Sequence, residues 1–137
     1  MRLHRSDLLH LFRYGATAAF AVVFLGIAGL FLVAPSTGAA LFGIPASSAE
    51  AQAYVRAIGL RDLALGLYIL ALLFLVSRRA AGILISITTV IPVGDMVLVL
   101  NPPGSSFWGH VLLHGGSAAV CALLGAGLLW PSRPNRT

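Results

Sequence analysis

The sequence predicts an all-α integral membrane protein, a four-helix bundle with both termini in the cytoplasm. Of its 137 residues, 58% are hydrophobic and only 9% are charged, whereas a soluble domain carries about 25% charged residues. The apolar residues form four segments, each long enough to cross a hydrocarbon core with about 20 helical residues. The sequence contains nine arginines and no lysine, and most of the arginines gather at the ends of these segments, which is typical of membrane orientation signals.

The four membrane helices are expected at about residues 14–33, 53–76, 80–100 and 107–130. Residues 1–13 form a basic flank that could lie as a short interfacial helix. A signal peptide is the competing interpretation, but the apolar stretch exceeds the usual core of about 7–15 residues. The sequence Asn101-Pro102-Pro103-Gly104 ends the third helix, and residues 131–137 are expected to form a mobile tail.

The connection between the first two helices, residues 34–52, contains an apolar stretch interrupted by glycine and proline. It is too short to span the bilayer, so we expect an interfacial or re-entrant lid. Phe42 and Ile44 are its candidate substrate contacts. Ser47 or Ser48 is expected to cap the helix that follows.

The arginines predict the orientation of the bundle. Three precede the first helix, two join the second and third, and two follow the fourth, whereas the other two connections contain none. This pattern places both termini in the cytoplasm, in a bacterial-type inner membrane or plasma membrane. Because little basic surface remains outside the bilayer, nucleic acid is not an expected partner. Association into a homo-oligomer stays open.

Charged residues inside the predicted helices fall at one depth. Arg61 lies 16 positions before Ser77, Asp95 lies 16 positions after Arg79, and His114 lies 16 positions before Trp130. At about 1.5 Å per residue, each is about 24 Å from the cytoplasmic end of its helix. Ionisable residues at such depth are costly and usually mark a site.

Arg61 and Asp62 are neighbours on the second helix. Because successive helical residues point about 100° apart, we expect one to face a chamber and the other to pair with another helix. The alternative is that Arg61 and Asp95 form an ion pair with a purely structural role. Gly59 and Gly66 lie two turns apart on roughly one face and would allow another helix to approach closely.

His110 and His114 share one face of the fourth helix. With Asp95 they could form a two-histidine, one-carboxylate metal site, but we predict neither a metal nor a cofactor. His114 is expected to transfer protons or to donate hydrogen bonds. His110 and Trp108, near the outer end of this helix, are further candidate substrate contacts. Pro92 is expected to interrupt the third helix beside Asp95.

Several short stretches resemble one family of small four-helix membrane proteins, DUF4267. They are Gly59-Leu-Arg-Asp62 with Leu65-Gly66, Ile91-Pro-Val-Gly-Asp95, His114-Gly115 and Phe42-Gly-Ile-Pro45. The resemblance implies that fold and a residue set comprising Arg61, Asp62, Asp95 and His114. The architecture is also similar to that of DoxX-like membrane proteins.

These observations favour a cofactor-independent membrane enzyme that isomerises or cyclises a lipophilic small molecule by acid–base chemistry. Asp95 or Asp62 would exchange a proton with the substrate, His114 would be the complementary acid or base, and Arg61 would tune the carboxylates or bind an oxyanion. One alternative is a non-catalytic binding or accessory subunit for a hydrophobic ligand or partner. The other is a structural bundle joined by interhelical ion pairs.

Overall fold

The computed structural model describes residues 5–100 and 107–131. Its helices are α1 (Arg5–Val33), α2 (Pro35–Phe42), α3 (Ala49–Leu75), α4 (Arg78–Thr88), α5 (Val90–Val99) and α6 (Phe107–Leu129). The candidate membrane spans of the described residues are Leu11–Val33, Ala49–Leu75, Arg78–Val99 and Trp108–Leu129. In the part of the chain that the structure describes, an all-helical fold with four apolar spans long enough to cross a membrane is therefore confirmed. The orientation of its termini stays a prediction.

Two predicted boundaries differ in the structure. The first helix begins at Arg5 rather than near residue 14, so the described part of the basic flank continues α1 and is not a separate interfacial helix. The helix α3 begins at Ala49 rather than near residue 53, because the Ser48 Oγ accepts a hydrogen bond from the Ala51 N–H at 3.1 Å. This contact satisfies one of the unpaired donors of the first turn. Capping by Ser48 was one of the predicted options.

The third span is broken into α4 and α5 at Thr89. Pro92 has no N–H, so it cannot bond to the carbonyl of Thr88 four residues earlier. One turn before the proline, the Thr89 N–H donates to the carbonyl of Ser86, three residues earlier, at 3.2 Å. A bond of this spacing tightens the last turn of α4. The interruption expected from Pro92 is thus found, one turn before the proline. The predicted single helix over residues 80–100 is two helices.

Glycines bring neighbouring helices into backbone contact. Gly59 and Gly66 of α3 face α1, and a Cβ added to Gly66 would lie 3.1 Å from the carbonyl oxygen of Ala21. The close approach expected at these two glycines is therefore confirmed. Gly82 of α4 and Gly125 of α6 make a similar contact, with each added Cβ 3.1 Å from the other residue's carbonyl oxygen. Small residues commonly mediate such packing between membrane helices.

The buried side chains form two hydrophobic clusters toward opposite ends of the bundle. One unites α1, α2, α3 and α5, and includes Phe31, Phe42 and Val55. The other unites α1, α3, α4 and α6, and includes Ile69 and Ile85. Along α3, Arg61 and Asp62 lie between Val55 of the first cluster and Ile69 of the second. The charged layer therefore separates two apolar regions. Outward-facing side chains are largely apolar, as suits a lipid bilayer.

Candidate functional site

Arg61 of α3 holds two carboxylates. Its Nε donates to Asp62 Oδ1 at 3.0 Å, and its two terminal nitrogens donate to the two oxygens of Asp95 on α5 at 3.4 and 3.3 Å. The predicted Arg61–Asp95 ion pair is therefore present. As expected, one of the two neighbours pairs with another helix and the other lines a cavity, but the long side chain of Arg61 also reaches around α3 to the carboxylate of Asp62.

The two carboxylates of this ionic group are largely buried, and the arginine is partly buried. The side chains of Asp62, Asp95 and Arg61 are 5%, 12% and 36% exposed. A guanidinium carries five N–H donors, and three of them donate to Asp62 and Asp95, so two N–H groups have no partner among the residues that the structure describes. With all three residues ionised, two negative charges face one positive charge. The group is therefore complementary to a hydrogen-bonding ligand that does not add another negative charge.

His114 of α6 lies in the same layer, and its ring is 4.8 Å from that of Phe42 in an edge-to-face arrangement. Its Nε2 lies 2.9 Å from the Phe42 carbonyl oxygen. Because a carbonyl can only accept, Nε2 must carry the hydrogen, which leaves Nδ1 as the acceptor in a neutral ring. His114 is only 7% exposed. The lid thus fixes which nitrogen of His114 is available as a base.

His110 also contacts the lid. Its Nε2 donates to the Ala40 carbonyl oxygen at 3.1 Å, so both histidines serve the last turn of α2, where carbonyls lack helical partners. The chain leaves α2 through Gly43 at φ 102°. The shared face of His110 and His114 is confirmed, but it anchors α2 on α6. Within residues 5–100 and 107–131, His, Cys, Asp and Glu side chains form no cluster of three suited to a metal.

Two cavities adjoin the ionic group. The first, of about 100 Å³, is lined by Asp62 and His114, and by apolar side chains of α1 including Phe20 and Phe24. The second, of about 350 Å³, lies between the lid, α3 and α5 and is lined mainly by apolar residues such as Val55. Their polar residues in common are Arg61 and Asp95, which line both. Apolar side chains of α1 and the polar layer beside them therefore form walls of the first cavity.

The predicted substrate contacts separate into two groups. Phe42 is buried and lines both cavities, and Ile44 lines the second. Trp108 is 73% exposed, and neither it nor His110 lines either cavity among the described residues. The structure places these two side chains on the first turn of α6. Their contact with a substrate therefore gains no support from the cavities.

Sequence reasoning missed the apolar residues of α3 that line the second cavity. They include Ala51, Val55 and Ile58, beside Tyr54. Their spacing of four and three positions places them on a helix face that continues, three positions further on, to Arg61. The spacing was a usable signal, but an apolar stripe on a membrane helix is equally expected where helices only pack. The lid that encloses this stripe is what makes it a cavity wall.

Fold and site together define a small helical membrane protein with an ionic group buried beside two cavities. The chain belongs to the DUF4267 family, a domain of unknown function, which it matches over residues 19–128. This match includes Arg61, Asp62, Asp95, His114 and the whole lid. No curated protein and no solved structure gives a significant match.

Proposed function

We propose that this protein is a membrane enzyme that isomerises or cyclises a lipophilic small molecule by acid–base chemistry. One observation carries the proposal: Asp62 and His114 line a single cavity whose other walls are mostly apolar. A carboxyl group and an imidazole are among the commonest general acids and bases. Their placement against α1 aromatic side chains suits a hydrophobic substrate drawn from the membrane.

The roles follow from the hydrogen bonds. His114 Nδ1 accepts a proton from one position of the substrate, and the protonated carboxyl group of Asp62 delivers a proton to another. The substrate gains and loses one proton, and exchange with solvent then removes the proton from His114 and returns one to Asp62, so the cycle requires no further reactant. The unused N–H groups of Arg61 stabilise negative charge that develops on a substrate oxygen. Asp95 orients Arg61 through both carboxylate oxygens, a narrower role than the proton exchange that the sequence also allowed it.

The proposed location is a bacterial-type inner membrane or plasma membrane, with both termini in the cytoplasm. The distribution of arginines supports this orientation. At the end of the bundle away from the lid, Arg78 donates to the Trp130 carbonyl oxygen at 2.8 Å. The cavities would then lie toward the outer leaflet. A reporter active only in the cytoplasm, fused after residue 137, should be active, and an inactive fusion would refute the orientation.

Solvent deuterium tests the chemistry before the substrate is known. The purified protein, in lipid nanodiscs, is incubated in D₂O with an apolar extract of its source cells. An acid–base isomerase returns a solvent-derived proton to carbon, so a product should appear one mass unit heavier, whether its skeleton is rearranged or unchanged. Absence of any protein-dependent deuterium incorporation in a complete extract would refute the proposal.

Matched variants separate chemistry from folding. Asp62→Asn and His114→Gln should each slow incorporation by about 10²–10⁴-fold. The glutamine amide keeps a donor for the Phe42 carbonyl while removing the basic nitrogen. Ser117→Ala is the control, because Ser117 lines the same cavity but its hydroxyl donates to the Leu113 carbonyl of its own helix. Equal rates in all three variants would contradict the assigned roles.

A structural role is the second candidate, and the Arg61–Asp95 pair favours it because it joins α3 to α5. Under this alternative the ionic group stabilises the bundle and the cavities bind nothing specific. Equal losses of stability in Arg61→Gln and Asp95→Asn would favour this structural role over a catalytic site.

A further inference from the structure

The two cavities are neighbouring compartments with common walls. Phe31, Phe42, Arg61 and Asp95 line both of them. The rings of Phe31 and Phe42 lie 6.4 Å apart, and the Arg61–Asp95 contacts, at 3.3–3.4 Å, are at the long end for hydrogen bonds. The partition is therefore made of side chains, and one elongated molecule can occupy both compartments when these side chains adjust.

The compartments differ in size and polarity. The first holds Asp62 and His114 but has a volume of only about 100 Å³. The second has about 350 Å³, and apart from Arg61 and Asp95 at its inner end it is lined mainly by aliphatic and aromatic side chains. Ile44 and Leu98, which also line it, are 39% and 57% exposed, so it opens toward the lipid. A reactive group fits the first cavity and a hydrocarbon body fits the second.

The ionic group restricts the polar end of such a molecule. When Asp62 is protonated, as its role as an acid requires, Asp95 alone balances the charge of Arg61, so a ligand carboxylate or ammonium group would leave a net charge in a largely apolar site. A hydroxyl or carbonyl group can accept from the unused N–H groups of Arg61 without adding charge. A hydroxyl can also donate to Asp62 or Asp95. The matching polar end is therefore small, oxygen-bearing and uncharged.

We propose that the two cavities bind one single-chain amphiphile, with an uncharged hydroxyl or carbonyl end beside Arg61 and its hydrocarbon body in the second cavity. This inference rests on the proposed function and names the substrate class for the same site. It assigns Val55 and Ile58 of α3 as contacts of the hydrocarbon body.

A photoreactive fatty alcohol, with a diazirine on its chain, tests the proposal in the purified protein in nanodiscs. Crosslinks located by mass spectrometry should concentrate on the α3 face that contains Val55 and Ile58. Unlabelled dodecanol should compete, whereas dodecanoate and dodecylamine should compete about tenfold less well or worse, a difference equivalent to about 1.4 kcal/mol. Labelling spread evenly over lipid-facing residues, or stronger competition by the acid or the amine, would overturn it.

Cavity-filling variants provide the matched comparison. Ile58→Trp fills the second cavity and should reduce specific labelling by about tenfold or more, since overfilling excludes a ligand chain. Leu60→Trp, two residues along and 58% exposed, adds a larger ring on the lipid side and should leave labelling unchanged. If Ile58→Trp fails to fold, Ala51→Leu narrows the same cavity with a smaller change. Unchanged specific labelling in a folded cavity-filling variant would refute the assignment.

The two proposals fail in distinguishable ways. Specific labelling without deuterium incorporation would refute the enzyme and leave the amphiphile site standing. Deuterium incorporation from the extract without specific labelling or competition by the alcohol would refute the substrate class and leave the enzyme standing.

Discussion

Removing Arg61 should destabilise the protein far more than neutralising Asp95. Arg61→Gln leaves the carboxylate of Asp95, and that of Asp62 whenever it is ionised, without a cation in a largely buried layer. Asp95→Asn leaves one guanidinium paired with one carboxylate, and the introduced amide retains an oxygen that can accept from Arg61. The two substitutions break the same interhelical contact, but only the first leaves charge unbalanced.

The magnitudes follow from burial. Removing one partner of a fully buried pair costs about 3–5 kcal/mol. The Arg61 side chain is 36% exposed and its contacts with Asp95 are long, at 3.3–3.4 Å. We therefore expect Arg61→Gln to lower the free energy of unfolding by about 2 kcal/mol, which is less than for a fully buried pair and more than for an exposed pair. For Asp95→Asn we expect a change within about 1 kcal/mol in either direction, since one hydrogen bond contributes about that much.

The free energy of unfolding can be measured by denaturant titration in mixed micelles, with helicity as the signal. Arg56→Gln is the control, because Arg56 is an exposed arginine of the same helix and its removal should change stability by less than about 0.5 kcal/mol. The double variant Arg61→Gln with Asp95→Asn should recover part of the loss. If Asp95→Asn proves as damaging as Arg61→Gln, the pair is a structural tie and the charge-balance reasoning is refuted.

Three further substitutions test the packing and the lid. Gly66→Ala should lower the free energy of unfolding by about 1–3 kcal/mol because the added Cβ would press on α1. Gly26→Ala is the control, since Gly26 has open space around it, and it should not lower this free energy. Equal effects of the two substitutions would contradict the glycine contact. Ser48→Ala should cost about 0.5–2 kcal/mol and increase amide exchange in the first turn of α3; unchanged exchange would argue against the cap. Gly43→Ala should lower the free energy of unfolding by about 1–2 kcal/mol, since Gly43 has a φ of 102° and an added Cβ would lie 2.7 Å from the His110 ring. Faster amide hydrogen exchange in α2 should accompany this loss. An unchanged stability would contradict the strain expected at this turn.

The common depth of the charged residues was predictable because the bilayer constrains the sequence so strongly. Helix length and the arginines at helix ends set a scale along each span. Arg61, Asp95 and His114 could therefore be placed in one layer by counting. The Arg61–Asp95 contact followed from that layer and the scarcity of charge inside the bundle. Counting gives depth alone, so it could not show which way each side chain turns.

Side-chain reach explains the contact within α3 that the sequence did not predict. Treating Arg61 and Asp62 as vectors about 100° apart ignored the length of the arginine, whose Nε bonds to its neighbour's carboxylate at 3.0 Å. The helical face shared by His110 and His114 was predictable, but its use was not. The acceptors are the backbone carbonyls of Ala40 and Phe42. Every residue has a backbone carbonyl, so the sequence does not show which carbonyls need a donor.

The lid connects these local facts to chemistry. A short helix ending within an apolar protein leaves carbonyls that need donors, and His110 and His114 supply them. The same hydrogen bond from His114 directs its remaining nitrogen away from Phe42, and His114 lines the cavity that also contains Asp62. Satisfying the backbone of α2 therefore selects the basic nitrogen of His114. A substitution that detaches α2 from His114 should therefore change which ring nitrogen of His114 carries the hydrogen, even though no residue of the ionic group is altered.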